Sequence, residues 1–280
     1  MRGLLLCVAL ALGSAPAAGA PLAAVATITP LGFLVQELGG ERVSVHVLVP
    51  PGASPHAFEP RPSDLGAVAG AALFVSAGAG VDDWVARLAG ADGPQPLVLG
   101  GAVSAPDPHF WLDPIAVRDE ALPALEEALG AADPPGRAHY AERRRAFAHT
   151  LTALDAEIRA TLAGAVRKPL VPTHPAWGAF AARYGLTLLA PVQHRAAEEP
   201  NPRTLGRLAD AARAGGAVAV LVEPQLSPAA AEALAEALGV PAIVADPYGD
   251  PRVAERGSYA ALLRFDAGAF QKALSAGASR

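Results

Sequence analysis

Beyond residue 20 the chain alternates short apolar runs with amphipathic stretches. The runs Ala23–Ile28, Val43–Val49, Ala72–Ala77, Leu97–Leu99, Leu170–Pro172, Leu186–Val192, Ala217–Val222 and Val240–Ala245 have the length of strands. Most are apolar throughout, as in strands covered on both faces. Val43–Val49 instead alternates valines with Ser44, His46 and Leu48, as in a partly exposed strand. Between them, Ser63–Ala69, Pro202–Ala214 and Pro228–Leu238 have helical spacing. Pro228 and Gly239 fit a helix start and stop. Strands alternating with helices predict an α/β fold with mainly parallel sheets flanked by helices.

One stretch departs from this rhythm. From about Gly136, the apolar positions Tyr140, Phe147, Leu151, Leu154, Ile158, Leu162 and Val166 mark one stripe, with charged residues opposite. A helix of ~28 residues would be ~42 Å long, more than one small lobe needs. It lies between two βα series, so we read it as a connector. The predicted organisation is a first α/β lobe over 21–135, a connecting helix over 136–166 and a second α/β lobe over 167–280.

Composition adds constraints. The 280 residues are 52% hydrophobic and 18% charged, which is a globular composition. The formal net charge of −5, with no basic stripe, gives no reason to expect nucleic-acid binding. Arg2 precedes a small and apolar run ending in Ala18-Gly19-Ala20, which reads as an export signal over 1–20, cleaved after Ala20. Cys7 is the one cysteine and lies within that segment, so a mature protein would have to bind any metal through nitrogen and oxygen.

Four residues share a setting suited to that chemistry. His56 lies in Pro50-Pro-Gly-Ala-Ser-Pro-His-Ala-Phe-Glu-Pro60, and His109 in Asp107-Pro-His-Phe-Trp-Leu-Asp-Pro114. His174 follows the run Leu170–Pro172, and Asp246 follows Val240–Ala245. Each falls just past the carboxyl end of a predicted strand, the edge at which open α/β sheets bind ligands. Taken singly, a loop histidine is commonly solvated, and an Asp before Pro commonly forms a turn. Separations of 53, 65 and 72 residues match no local zinc motif. Convergence of all four, two from each half, is what makes them candidate ligands. His139 and His149 are expected to be solvated on the long helix, and His46 to project from the exposed side of its strand. His194 is expected at the rim.

These segments carry a resemblance. Val49–Asp64, Asp107–Pro114, Thr173–Gly185, Glu199-Pro-Asn-Pro202, Val222-Glu-Pro-Gln225 and Asp246-Pro-Tyr-Gly249, in this order, resemble the periplasmic solute-binding proteins of zinc and manganese ABC transporters, the ZnuA/TroA-like family. The resemblance implies two lobes joined by one long helix, with a metal buried at their interface and delivered to a membrane permease for import. It takes His56 and His109 from the first lobe and His174 and Asp246 from the second. It also implies a periplasmic protein that is not an enzyme, and a monomer is expected. Manganese-type members resemble this pattern with Glu at the position of His174, which favours zinc here. The short, histidine-free stretch Ala91–Pro106 lacks the His-rich loop of many zinc-specific members.

The donor set points the same way: three imidazoles and one carboxylate suit Zn²⁺ better than Mn²⁺. Such a site calls for carboxylates behind the ligands, with Glu59 and Glu223 as the candidates by motif. Since imidazole must be neutral to ligate, affinity is expected to fall below pH ~6.5. Other readings are a manganese- or iron-binding relative, a secreted zinc hydrolase with a three-histidine site, and a surface adhesin. Ligation by Asp246 would separate a closed carrier site from an open hydrolytic one.

Overall fold

The computed structural model describes residues 20–89, 94–104, 107–165, 168–193 and 199–276. The proposed signal segment up to Gly19, Val166 and His194 lie outside the described residues.

The first lobe holds a parallel sheet of β1 (Leu22–Ala26), β2 (Val43–Val47), β3 (Leu73–Ser76) and β4 (Leu97–Val98), in the order β2-β1-β3-β4. Helices α1 (Thr29–Gly39), α2 (Pro62–Ala69) and α3 (Val85–Ala89) follow successive strands. Beyond β4, α4 (Pro114–Ala116) passes through a π-turn (Val117–Ala121) into α5 (Leu122–Ala132). Asp113 caps this start by accepting from the amides of Ile115 and Ala116, with Pro114 in the first turn, where its missing N–H costs nothing.

Helix α6 (Arg137–Leu162) is the long helix. Its 26 residues span ~39 Å at the standard rise. Tyr140, Phe147, Leu151, Leu154, Ile158 and Leu162 are all buried, as the stripe requires. Two polar residues depart from the sequence reading. Asp155 is buried, held by Arg159 at 3.0 Å and by Arg183 at 2.8 Å. His139 is half-buried, with Nε2 3.0 Å from the Gly39 carbonyl at the end of α1, and so is not simply solvated. His149 is exposed, as expected.

The second lobe has the parallel sheet β5 (Leu170–Pro172), β6 (Ala219–Val222) and β7 (Ala242–Val244), in that order. Helix α7 (Gly178–Tyr184) follows β5, α8 (Pro202–Ala214) precedes β6, α9 (Ala229–Leu238) links β6 to β7, and α10 (Tyr259–Ser275) completes the lobe. The run Leu186–Val192 is not a regular strand. It meets β5 through one bridge at Leu188 and through amides of Leu189 and Val192 donating to Leu170 and Pro172. Pro191 interrupts it, because proline has no N–H for the ladder.

Helix α6 packs on α1 and α5 of the first lobe and on α10 of the second. One hydrophobic core runs through both lobes, and a smaller cluster lies beneath α8 and α9. Trp111, fully buried, stitches the seam: its indole N–H donates to the Pro247 carbonyl at 2.7 Å, and its own carbonyl accepts from the Tyr259 hydroxyl at 2.6 Å.

Candidate metal centre

His56, His109 and His174, far apart in sequence, come together at this seam. Each offers a ring nitrogen, and the three lie within 4.8 Å of one another. The ring centroids are 5.7, 5.5 and 5.3 Å apart, with planes steeply inclined, so no pair stacks face to face.

Each ring is aimed by its own loop. The turn after β3 has Gly78, Ala79 and Gly80 all at positive φ, the left-handed region that an alanine rarely enters. Asp82 holds it there: its carboxylate accepts from the amides of Ala77 and Gly78, each at 2.7 Å, and from the Thr27 hydroxyl at 2.5 Å. This turn presents the Gly80 carbonyl to Nδ1 of His56 at 3.1 Å. A carbonyl only accepts, so the proton sits on Nδ1 and Nε2 keeps the lone pair that can ligate. Trp84 fixes the same loop by donating to the Pro55 carbonyl at 2.9 Å.

His174 follows β5, and its Nδ1 bonds the carboxylate of Glu223, which follows β6. Glu223 is buried and also accepts from the Trp177 indole at 3.2 Å. A carboxylate behind an imidazole fixes its tautomer and raises its basicity, which leaves Nε2 as the donor atom. Glu223 thus fills one role anticipated for it; Glu59 is exposed. His109 is buried against the edge of Trp111, with its amide held by Asp107 at 2.8 Å.

The electrostatics suit a cation. Nε2 of His174 and Nε2 of His109 are buried without a hydrogen-bond partner, a condition proteins seldom tolerate unless a further group satisfies it, while Nδ1 of His109 faces Asp107 at 3.5 Å. Burial, and then the neighbouring His109 and His174, push the His56 imidazolium down to about 4. Burial also lowers His109. Both rings are therefore neutral near pH 7, the form that ligates. Three imidazole donors, those of His109 and His174 buried and that of His56 half-buried, fit a borderline transition-metal ion.

Asp246, the fourth residue expected from the sequence, is not among the residues whose donor atoms converge here, and it is differently engaged. It is 1% exposed, and Oδ1 accepts from Gln225 at 2.7 Å and from the amides of Tyr248 and Gly249, each at 3.0 Å. Oδ2 accepts from Arg256 at 2.6 Å. The turn depends on Gly249, at φ 75°, where a Cβ would sit 2.9 Å from the Arg256 carbonyl. Tyr248, in the same turn, brings its hydroxyl to 3.5 Å from Nε2 of His56. Sequence reading did not single out Arg256, Tyr248, Trp111 or Asp82. Trp111 stood within a quoted motif. Arg256 had no local signal, since its partner lies ten residues away around a turn.

Two α/β lobes on a shared long helix, with three imidazoles meeting in the seam, define a metal-binding solute-binding protein. The model of the family described as zinc-uptake complex component A, periplasmic (ZnuA) matches residues 24–273, and the chain belongs to that family. It is 27% identical to the high-affinity zinc uptake system protein ZnuA of Paracoccus denitrificans, over 93% of this chain and 94% of that one. It is 29% identical to the manganese-binding lipoprotein MntA of Halalkalibacterium halodurans, over 73% of this chain and 72% of the relative. A crystal structure of ZnuA superposes with a TM-score of 0.79 at 26% identity, covering 91% of this chain and 99% of that chain. The family comprises periplasmic solute-binding proteins of ABC transporters, which are not enzymes, so the hydrolase alternative finds no support. Among the described residues, no helix is long and apolar enough to cross a membrane.

Proposed function

We propose that this protein captures Zn²⁺ on the outer side of the cytoplasmic membrane and delivers it to an ABC permease for import, with His56, His109, His174 and Asp246 as the ligands. The observation that carries this reading is the group of three converging imidazoles, two of which, His109 and His174, have buried, unpartnered nitrogens. Zinc is favoured over manganese because the donors are mainly nitrogen, and one carboxylate would complete a tetrahedron. Export with cleavage after Ala20 and action as a monomer belong to the same reading. The lobe boundaries belong to it as well: a first lobe over 21–135, a connector over 136–166 and a second lobe over 167–280. The shared core and the Trp111 stitch favour release through loop movement and small lobe shifts over a wide hinge.

The test is titration of metal-free protein with Zn²⁺ and Mn²⁺ in competition with a chromophoric chelator, together with native mass spectrometry of protein purified without added metal. Zinc at one equivalent, with His174→Ala losing affinity by orders of magnitude and His149→Ala unchanged, is the expected result. Equal losses in the two variants would remove the site, and tighter binding of Mn²⁺ would overturn the zinc assignment.

A further inference from the structure

We infer that Arg256 is the internal counter-cation of the fourth ligand, and that an incoming metal must displace it from Asp246. This rests on the proposed capture site and adds to it a residue that sets affinity and release. A buried carboxylate needs a compensating charge. In this structure Arg256 supplies it through one contact, Nη1 to Oδ2 at 2.6 Å.

The two oxygens of Asp246 are held very differently. Oδ1 has three donors from its own lobe, Gln225, Tyr248 and Gly249. Oδ2 has the guanidinium. The carboxylate can therefore keep its anchorage through Oδ1 while Oδ2 exchanges one cation for another.

Charge favours the exchange. Imidazoles ligate only when neutral, so a bound Zn²⁺ would be balanced by two buried carboxylates, Glu223 behind His174 and Asp246. Arg256 left in place would add one excess positive charge to a desolvated cluster. Arg256 is also the partner able to leave. Its side chain is 21% exposed against 1% for Asp246, and it lies in a short turn (Ala254–Arg256) between β7 and α10. Nearby Asp250 is paired with Arg252 through both oxygens, so Asp246 is the carboxylate that Arg256 itself contacts. Metal capture thus becomes a contest between two cations for one oxygen. Returning Arg256 to Asp246 would help expel the metal.

The test is a double-mutant cycle read by zinc affinity. Removing the competitor in Arg256→Gln should tighten zinc binding by roughly tenfold, while lowering the melting temperature of the metal-free protein, because the buried carboxylate loses its partner. A merely structural arginine would loosen the site and move affinity the other way. In an Asp246→Asn background, itself weaker for zinc, Arg256→Gln should give no gain. Arg256→Lys keeps a cation but loses the planar fork, and should give a smaller gain; it serves if the glutamine variant is too unstable to titrate.

Unchanged or weaker zinc binding in both Arg256 variants, with His174→Ala and Asp246→Asn still impaired, overturns this inference and leaves the capture site standing. Full affinity in Asp246→Asn overturns it too and reduces the site to three histidines. Full affinity in His174→Ala removes the capture site itself.

Discussion

The pH dependence of zinc affinity separates a buried site from three solvated histidines. Protonation of a ligand competes with the metal, so affinity is divided by one plus the ratio of protonated to neutral imidazole. For an imidazole at the ordinary ~6.5, lowering the pH from 7.5 to 5.5 costs about tenfold, and three such rings would cost about a thousandfold. In this structure burial and the adjacent rings bring His56 down to about 4. At that value its protonated fraction at pH 5.5 is only about 3%, so its tenfold share disappears. Burial lowers His109 as well. The expected loss from pH 7.5 to 5.5 therefore falls short of what three ordinary rings would give, and the window in which His56 contributes lies nearer pH 4 than the ordinary value suggests. The same shift has a stability arm. His56 binds protons less readily folded than unfolded, so the metal-free protein should lose stability as pH falls from about 6.5 through about 4. The assay is competition against a chelator of known pH behaviour, alongside thermal melts of metal-free protein across the same range. A loss of a thousandfold or more by pH 5.5 would refute the desolvated cluster.

Three further outcomes are expected. Glu223→Gln leaves the fold intact by circular dichroism but weakens zinc binding roughly 10–100-fold, because the His174 ring loses the carboxylate that orients it. Gly249→Ala costs about 1–2 kcal/mol in thermal or urea melts, since alanine is strained at positive φ and meets the Arg256 carbonyl; unaltered stability would mean that the turn is not held as described. Trp111→Phe removes the indole bond to Pro247 and should raise amide exchange along the seam more than in the sheet cores, and uniform exchange would show that the stitch does not restrain the lobes.

Legibility of the sequence followed how local each cause was. The stripe on α6 has one period and one neighbour on each side, so its burial could be read directly from spacing. Parallel strands were equally plain where they were apolar throughout, as at β3 and β6. Leu186–Val192 misled because its apolar character comes from packing beside β5, while Pro191 denies it the ladder. Asp155 and His139 misled for a different reason. Each looks like a solvated helix residue until Arg183, from the helix after β5, or the carbonyl end of α1 arrives from elsewhere in the chain.

The centre shows the same division more sharply. Histidines past strand ends could be marked as candidates because strand direction alone sends those loops to one edge, and the fold then brings three of them within 4.8 Å. What strand direction cannot convey is who balances a buried charge. Glu223 and His174 are 49 residues apart and Asp246 and Arg256 only ten, yet neither pairing follows from a periodicity. Both follow from desolvation: once the seam excludes water, a carboxylate there must find a cation or a donor ring. Glu223 finds the imidazole that would hold the metal, and so strengthens a donor. Asp246 finds a guanidinium that occupies the oxygen a metal would need. The two carboxylates thus act in opposite senses on one site, the first preparing it and the second holding its last contact in reserve.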